Sequence, residues 1–64
     1  MSELKDRRLS RDMSQSDLAK ASGVNIRMIQ YYEQGVKDIN KAQVMTVKKL
    51  ADALHTTIED LLEF

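Results

Sequence analysis

Ser14-Gln15-Ser16-Asp17-Leu18-Ala19-Lys20-Ala21-Ser22-Gly23-Val24-Asn25-Ile26-Arg27-Met28-Ile29-Gln30-Tyr31-Tyr32-Glu33-Gln34-Gly35 is the stretch whose reading decides the fold. Its punctuation predicts two short helices. Ser14 reads as an N-cap whose hydroxyl takes an orphan backbone N–H, and Asp17 suits the positive first turn. The helix that follows ends near Ser22, with Leu18 and the small Ala19 facing inward. Gly23 then supplies the left-handed residue that a sharp stop requires. Asn25 is a second N-cap, and the next helix runs from Ile26 to about Gln34. Ile29 and Tyr32, three apart, face inward above Val24, and Gly35 ends the helix. Tyr31 and Tyr32 point about 100° apart on such a helix, so only one of them, Tyr32, belongs to the core.

Working outward, helix one is expected from about Ser2 or Glu3 to Arg11, with Leu4 and Arg8 on one face and Leu9 beside them. Asp12-Met13 interrupts it. Downstream, Val36 to Gln43 is a connector with a short turn around Asn40-Lys41. Helix four starts between Lys41 and Val44, and Val44, Val47, Leu50, Ala51 and Leu54 form its apolar stripe. Thr57 caps a short last helix with Glu59 and Asp60 in its first turn, and Ile58, Leu61 and Leu62 are assigned to the core. The expectation is all-α, five helices and no strand, with a helix-turn-helix arrangement at helices two and three.

The 64 residues allow one lean domain, taken as residues 1–64. With 42 % hydrophobic and 31 % charged residues the composition is that of a soluble globular chain. There is no Cys, and His55 is the single histidine, so neither disulfide nor metal is expected. His55 follows Leu54 where helix four should end and is assigned a turn or capping role. Scattered carboxylates, cap-bound Ser and Thr, and the lack of a phosphate-cradling glycine loop argue against an enzyme. No apolar run approaches the roughly 18 residues that span a bilayer, and the N-terminus lacks the layout of a signal peptide, so a cytoplasmic location is expected. Ten basic residues balance ten acidic ones, which does not announce a nucleic-acid partner. Their placement is uneven: Lys20, Arg27, Lys37 and Lys41 stand against Glu33 and Asp38, while Glu59, Asp60 and Glu63 crowd the C-terminal end.

Leu4 and Arg8, Ser14-Gln15-x-x-Leu18-Ala19, Gly23-Val24, Ile29, Tyr32-Glu33-x-Gly35, Leu50-Ala51-x-x-Leu54 and Leu61-Leu62, in that order, resemble the phage-repressor family of Cro and Xre type across nearly the whole chain. The resemblance implies a compact five-helix, lambda-repressor-like DNA-binding domain. It implies that helix three enters the major groove of double-stranded DNA while helix two spans the backbone above it. Ile26, Arg27 and Tyr31 would then reach base edges, with Gln30 and Met28 on the flanks. Gln15 matches the family glutamine that touches phosphate, and Asn25, Gln34, Lys37 and Lys41 are further phosphate candidates. Arg8 and Glu33 match an internal, structural ion pair. The implied role is a transcriptional regulator, of repressor type, without cofactor or small-molecule ligand. Because one recognition helix covers few base pairs, a homodimer on half-sites about 34–36 Å apart is expected. Leu61, Leu62 and Phe64 either supply its surface or merely close the core. A second reading stays open: a protein-interaction module of antitoxin or anti-repressor type, with Ile26, Met28 and Tyr31 as its anchor patch.

Overall fold

Side-chain caps mark four of the five helix starts among the described residues. In the computed structural model, which describes residues 2–63, the Ser2, Ser14, Asn25 and Thr57 oxygens accept from the backbone N–H groups of Lys5, Asp17, Arg27 and Asp60. These caps open α1 (Glu3–Ser10), α2 (Gln15–Ser22), α3 (Ile26–Gln34) and the short α5 (Ile58–Leu61). The fourth helix, α4 (Val44–Ala53), starts at Gln43 without a side-chain cap. Helix α2 carries a full capping box, since Asp17 in turn accepts from the Ser14 N–H. The stops are equally local: Gly23 and Gly35 take φ of 76° and 77° after α2 and α3. After α1 and α4 the left-handed position falls instead on Asp12 and His55, both at φ 54°, which places His55 at a turn. The connector holds a 3-10 turn, Ile39–Lys41, and no strand occurs among the described residues.

Each helix sends one branched aliphatic side chain to the centre. Leu4, Leu18, Ile29, Leu50 and Leu61 are the fully buried residues, and Val24, Tyr32, Ile39, Val47, Ala51 and Leu54 surround them. Helix α2 packs on both α3 and α4, α4 on α5, and α1 touches α3 and α5, so α3 is held with one face inward. Three apolar assignments need correction. Leu9 is 52 % exposed, because it lies about 100° around α1 from Arg8 and faces away from the Leu4–Arg8 side. Val44, placed on the α4 stripe, is 68 % exposed: it is the first residue of the helix and no neighbouring element covers it. Leu62, assigned to the core, is half-buried and not among the residues packed against it, whereas Ile58 is half-buried and packs on the core and Leu61 is sealed inside it. Phe64 lies outside the described residues.

The termini and the connector are tied together by polar contacts. Asn40 accepts from the Glu63 N–H at 2.8 Å and donates its amide to the Glu63 carbonyl, while the Glu3 N–H donates to the Glu63 carboxylate at 3.2 Å. Ile39, next to Asn40, plugs the core from the same turn, which fixes the connector beside the C-terminal end of α3.

Candidate nucleic-acid interface

With Ile29 and Tyr32 inward, helical geometry of about 100° per residue turns Ile26, Arg27, Gln30, Tyr31 and Gln34 to the other side of α3. Ile26, Arg27 and Gln34 are exposed, and Gln30 and Tyr31 half-buried. Met28 does not share this face. It lies about 160° from Ile26, packs on the core, and lines an open groove of about 360 Å³ with Tyr32, Lys37, Asp38, Lys41 and Thr46. Asn25 sits at the N-terminal end of α3, its Oδ1 held by the Arg27 N–H at 2.7 Å.

The two edges of the α3 face have different chemistry. Along one edge lies the N-terminus of α2, where the first backbone N–H groups have no intrahelical partner and the helix dipole is positive. The capping-box carboxylate of Asp17 stands beside it, held below its ordinary range chiefly by the N–H and hydroxyl of Ser14. Along the other edge runs the groove, where Lys37 and Lys41 are exposed and Asp38 caps the 3-10 turn.

Under the face, Arg8 and Glu33 form a forked pair: Arg8 Nε donates to Glu33 Oε2 at 2.8 Å and Nη2 to Oε1 at 3.0 Å. A third donor, Nη1, reaches the Met13 carbonyl at 2.7 Å and so secures the turn between α1 and α2. The hydrogen bond that Arg8 donates to Glu33 is the main cause that raises the Arg8 pKa, against a smaller opposing effect of burial. The side chains are only 8 % and 3 % exposed, so the pair belongs to the interior. Glu33 Oε1 also accepts from Gln15 Nε2 at 3.1 Å, and Gln15 Oε1 in turn receives Gln30 Nε2 at 3.5 Å.

The pairing changes the charge seen from outside. Between Lys20 and Lys37 the single carboxylate is Glu33, which is buried against Arg8, so Arg27 faces no exposed acid on its own helix. Elsewhere carboxylates and bases meet at the surface, Lys48 with Asp52 at 3.0 Å and Arg7 with Glu3 and Asp60 at 4.0 and 3.7 Å. A chain of zero net charge thus keeps a face without uncompensated acid on α3.

Sequence reasoning placed the α3 face but missed two features. The engagement of the Gln15 side chain had no signal, because Gln15, Gln30 and Glu33 meet only once α2 and α3 pack. The groove of Tyr32, Lys37, Lys41 and Thr46 depends on the path of the connector, for which the isolated apolar Ile39 was the available clue. Among the described residues no group of three His, Cys, Asp or Glu could hold a metal, and no helix is long and apolar enough to cross a membrane.

Residues 4–61 match a family model described as Helix-turn-helix. No curated protein and no solved structure matches the chain.

Proposed function

The chain belongs to the Cro and Xre type of the helix-turn-helix family, a family of DNA-binding regulators, and from that premise we propose that it is a sequence-specific repressor that reads the major groove of double-stranded DNA with α3. The observation that carries this reading is the outward side of α3: five side chains, Ile26, Arg27, Gln30, Tyr31 and Gln34, with no carboxylate among them. Arg27 is the principal reader, since a guanidinium donating to O6 and N7 of guanine contributes about 1–3 kcal/mol of discrimination. Ile26 suits a thymine methyl, and Tyr31 offers a ring edge and a hydroxyl. Around this face, the α2 N-terminus at Gln15, with Asn25, Gln34, Lys37 and Lys41, would grip phosphates and set the register.

Residues 1–64 act as one reading unit in the cytoplasm, without cofactor. The Cα trace extends 24 Å along its longest axis, short of the roughly 34 Å between successive major-groove half-sites, so two copies are needed to read both. Leu61 is fully buried and not free to join them. Repression follows from operator occupancy that excludes polymerase. The alternative anchor patch of Ile26, Met28 and Tyr31 is less well supported, because Met28 faces the groove rather than the α3 face.

The test is selection from random-sequence DNA, then salt titration on the enriched site with wild type and Arg27→Ala. A short enriched motif, salt-weakened binding and preference relaxed at one position in the variant are expected. Folded protein that enriches no motif and shows no salt-sensitive binding at low ionic strength overturns the reading.

A further inference from the structure

The connector between α3 and α4 carries two of the lysines assigned to phosphate, and they are fixed in different ways. Lys37 is tied through its own backbone, whose N–H donates to the Tyr31 carbonyl in the last turn of α3 at 3.2 Å. Lys41 closes the 3-10 turn Ile39–Lys41, where its N–H donates to the Asp38 carbonyl at 3.0 Å within the connector itself. That bond shapes the turn but does not attach it to the rest of the fold. Attachment comes from the two residues before Lys41. At three residues per turn, successive side chains of a 3-10 helix point about 120° apart. Ile39 takes the inward direction and is 5 % exposed. Asn40 takes the second: its Oδ1 accepts from the Glu63 N–H at 2.8 Å and its Nδ2 donates to the Glu63 carbonyl. Lys41 takes the third and lines the groove beside the α3 face. Ile39 alone would leave the turn free to rock about one apolar anchor. The two-bond clasp of Asn40 removes that freedom and leaves Lys41 one direction.

We propose that Asn40 is a positioning residue for the DNA backbone: by clasping the main chain of Glu63 it holds the 3-10 turn so that Lys41 meets a phosphate. The inference rests on DNA binding through the α3 face and adds what aims one of its flanking cations. A lysine is a point charge on a flexible stem, so the direction in which the backbone launches that stem decides where the ammonium spends its time. The other end of the clasp is firm, since Leu61 is sealed in the core two residues before Glu63 and the Glu63 carboxylate accepts from the Glu3 N–H at 3.2 Å. The clasp also requires an amide. An aspartate would accept from the Glu63 N–H but would set a carboxylate against the Glu63 carbonyl, and an alanine would do neither. Asn40 and Glu63 are both exposed, so cutting the clasp leaves no buried polar group unpaired and the fold should survive it.

The experiment is a pair of double-variant cycles, Asn40→Ala with Lys41→Ala and Asn40→Ala with Lys37→Ala, read as affinity for a random-sequence duplex and for the enriched site across a salt titration. Asn40→Ala should weaken binding roughly fivefold, evenly across sequences, and leave the selected motif unchanged. Lys41→Ala should cost a similar factor in wild type and lower the log–log salt slope by about one. In the Asn40→Ala background it should cost less than about twofold, whereas Lys37→Ala should cost the same in both backgrounds. In the free protein, NMR relaxation should show the backbone amides of residues 39–41 loosened by Asn40→Ala and that of Lys37 unchanged. Glu63→Pro cuts the clasp from the other side by removing the donor N–H. Leu62, at φ −72° and ψ 150°, already has the backbone that precedes a proline, so this variant should fold and reproduce the effect. Glu63→Ala, which keeps the N–H, should bind as wild type. Additive losses for Asn40 and Lys41, equal coupling to Lys37, or a Lys41→Ala variant that binds as wild type each overturn the inference. So does Asn40→Ala protein that melts earlier yet binds as wild type when folded, which makes the clasp a brace of the fold alone. If relaxation shows the turn loosened while wild type has no salt-sensitive binding to any duplex, the clasp stands but the DNA-binding reading, and with it the role of Asn40, is refuted.

Discussion

Replacing Arg8 with methionine would leave the Glu33 carboxylate, 3 % exposed, facing a thioether in place of a guanidinium. Three hydrogen bonds disappear, two to Glu33 and one to the Met13 carbonyl, and a single partner, Gln15, remains for the charge. Stranding one member of a buried pair costs about 3–5 kcal/mol. A domain of this length is expected to have about 3–10 kcal/mol in total, so the variant should be marginally folded or unfolded. Glu33→Met, which strands the guanidinium, should be comparably damaging. The double variant removes both charges and leaves the Met13 carbonyl and the Gln15 amide without these partners, at about 1 kcal/mol each. It should therefore be more stable than either single variant. Urea unfolding followed by far-UV circular dichroism reads the difference. With a slope near 1 kcal/mol/M, each single change should lower the midpoint by about 3 M or abolish the folded baseline, and the double change by about 2 M. Single variants that each lose less than about 1 kcal/mol, or a double variant whose loss equals the sum of the two, would refute the assignment of the pair as buried and coupled. Loss of DNA binding in the single variants should track loss of folded protein.

His55→Gly should raise stability by about 1 kcal/mol, because a non-glycine residue at φ 54° carries a steric cost that glycine avoids; a thermal melt checks it, and an unchanged or lower midpoint counts against that strain. Lys37→Ala should weaken binding evenly across DNA sequences and reduce the salt slope by about one, without changing the selected motif; a changed motif would show base reading instead. Asp17 and Asp60 have pKa values lowered from the ordinary 3.8, chiefly by the Ser14 N–H and by the Thr56 hydroxyl respectively. Groups depressed on folding add stability above the unfolded value and lose it as pH falls through the folded value, so stability should decline as the pH drops below about 4. The Asp17→Asn/Asp60→Asn variant should have a flatter acid limb in denaturant midpoints measured across that range, and an identical limb would rule these carboxylates out as its source.

Much of the candidate interface was legible because its signals are local. Ser14, Asn25 and Thr57 cap neighbouring N–H groups, Gly23 and Gly35 relieve left-handed strain at their own positions, and Ile29 and Tyr32 set the inward side of α3 by helical spacing alone. Once that side is known, Arg27 and Gln34 must face out. Arg8 and Glu33, 25 residues apart, came from the family resemblance, since no local rule connects them.

The sequence by itself therefore determined the helices, their stops and the face that α3 turns outward, for these depend on backbone groups within one or two turns. Tertiary structure decided what depends on neighbours distant in the chain: Val44 and Leu9 are exposed although apolar, and Ile39 seals the core from within a polar connector. It decided that Asn40 clasps the backbone of Glu63 and that the Gln15 amide lies between Glu33 and Gln30. It also decided the charge of the α3 face, because a count of residues cannot show that Glu33 is neutralised by Arg8 from another helix. Burial and polar pairing are properties of surfaces brought together by folding, and spacing along a single helix carries only half of each such contact.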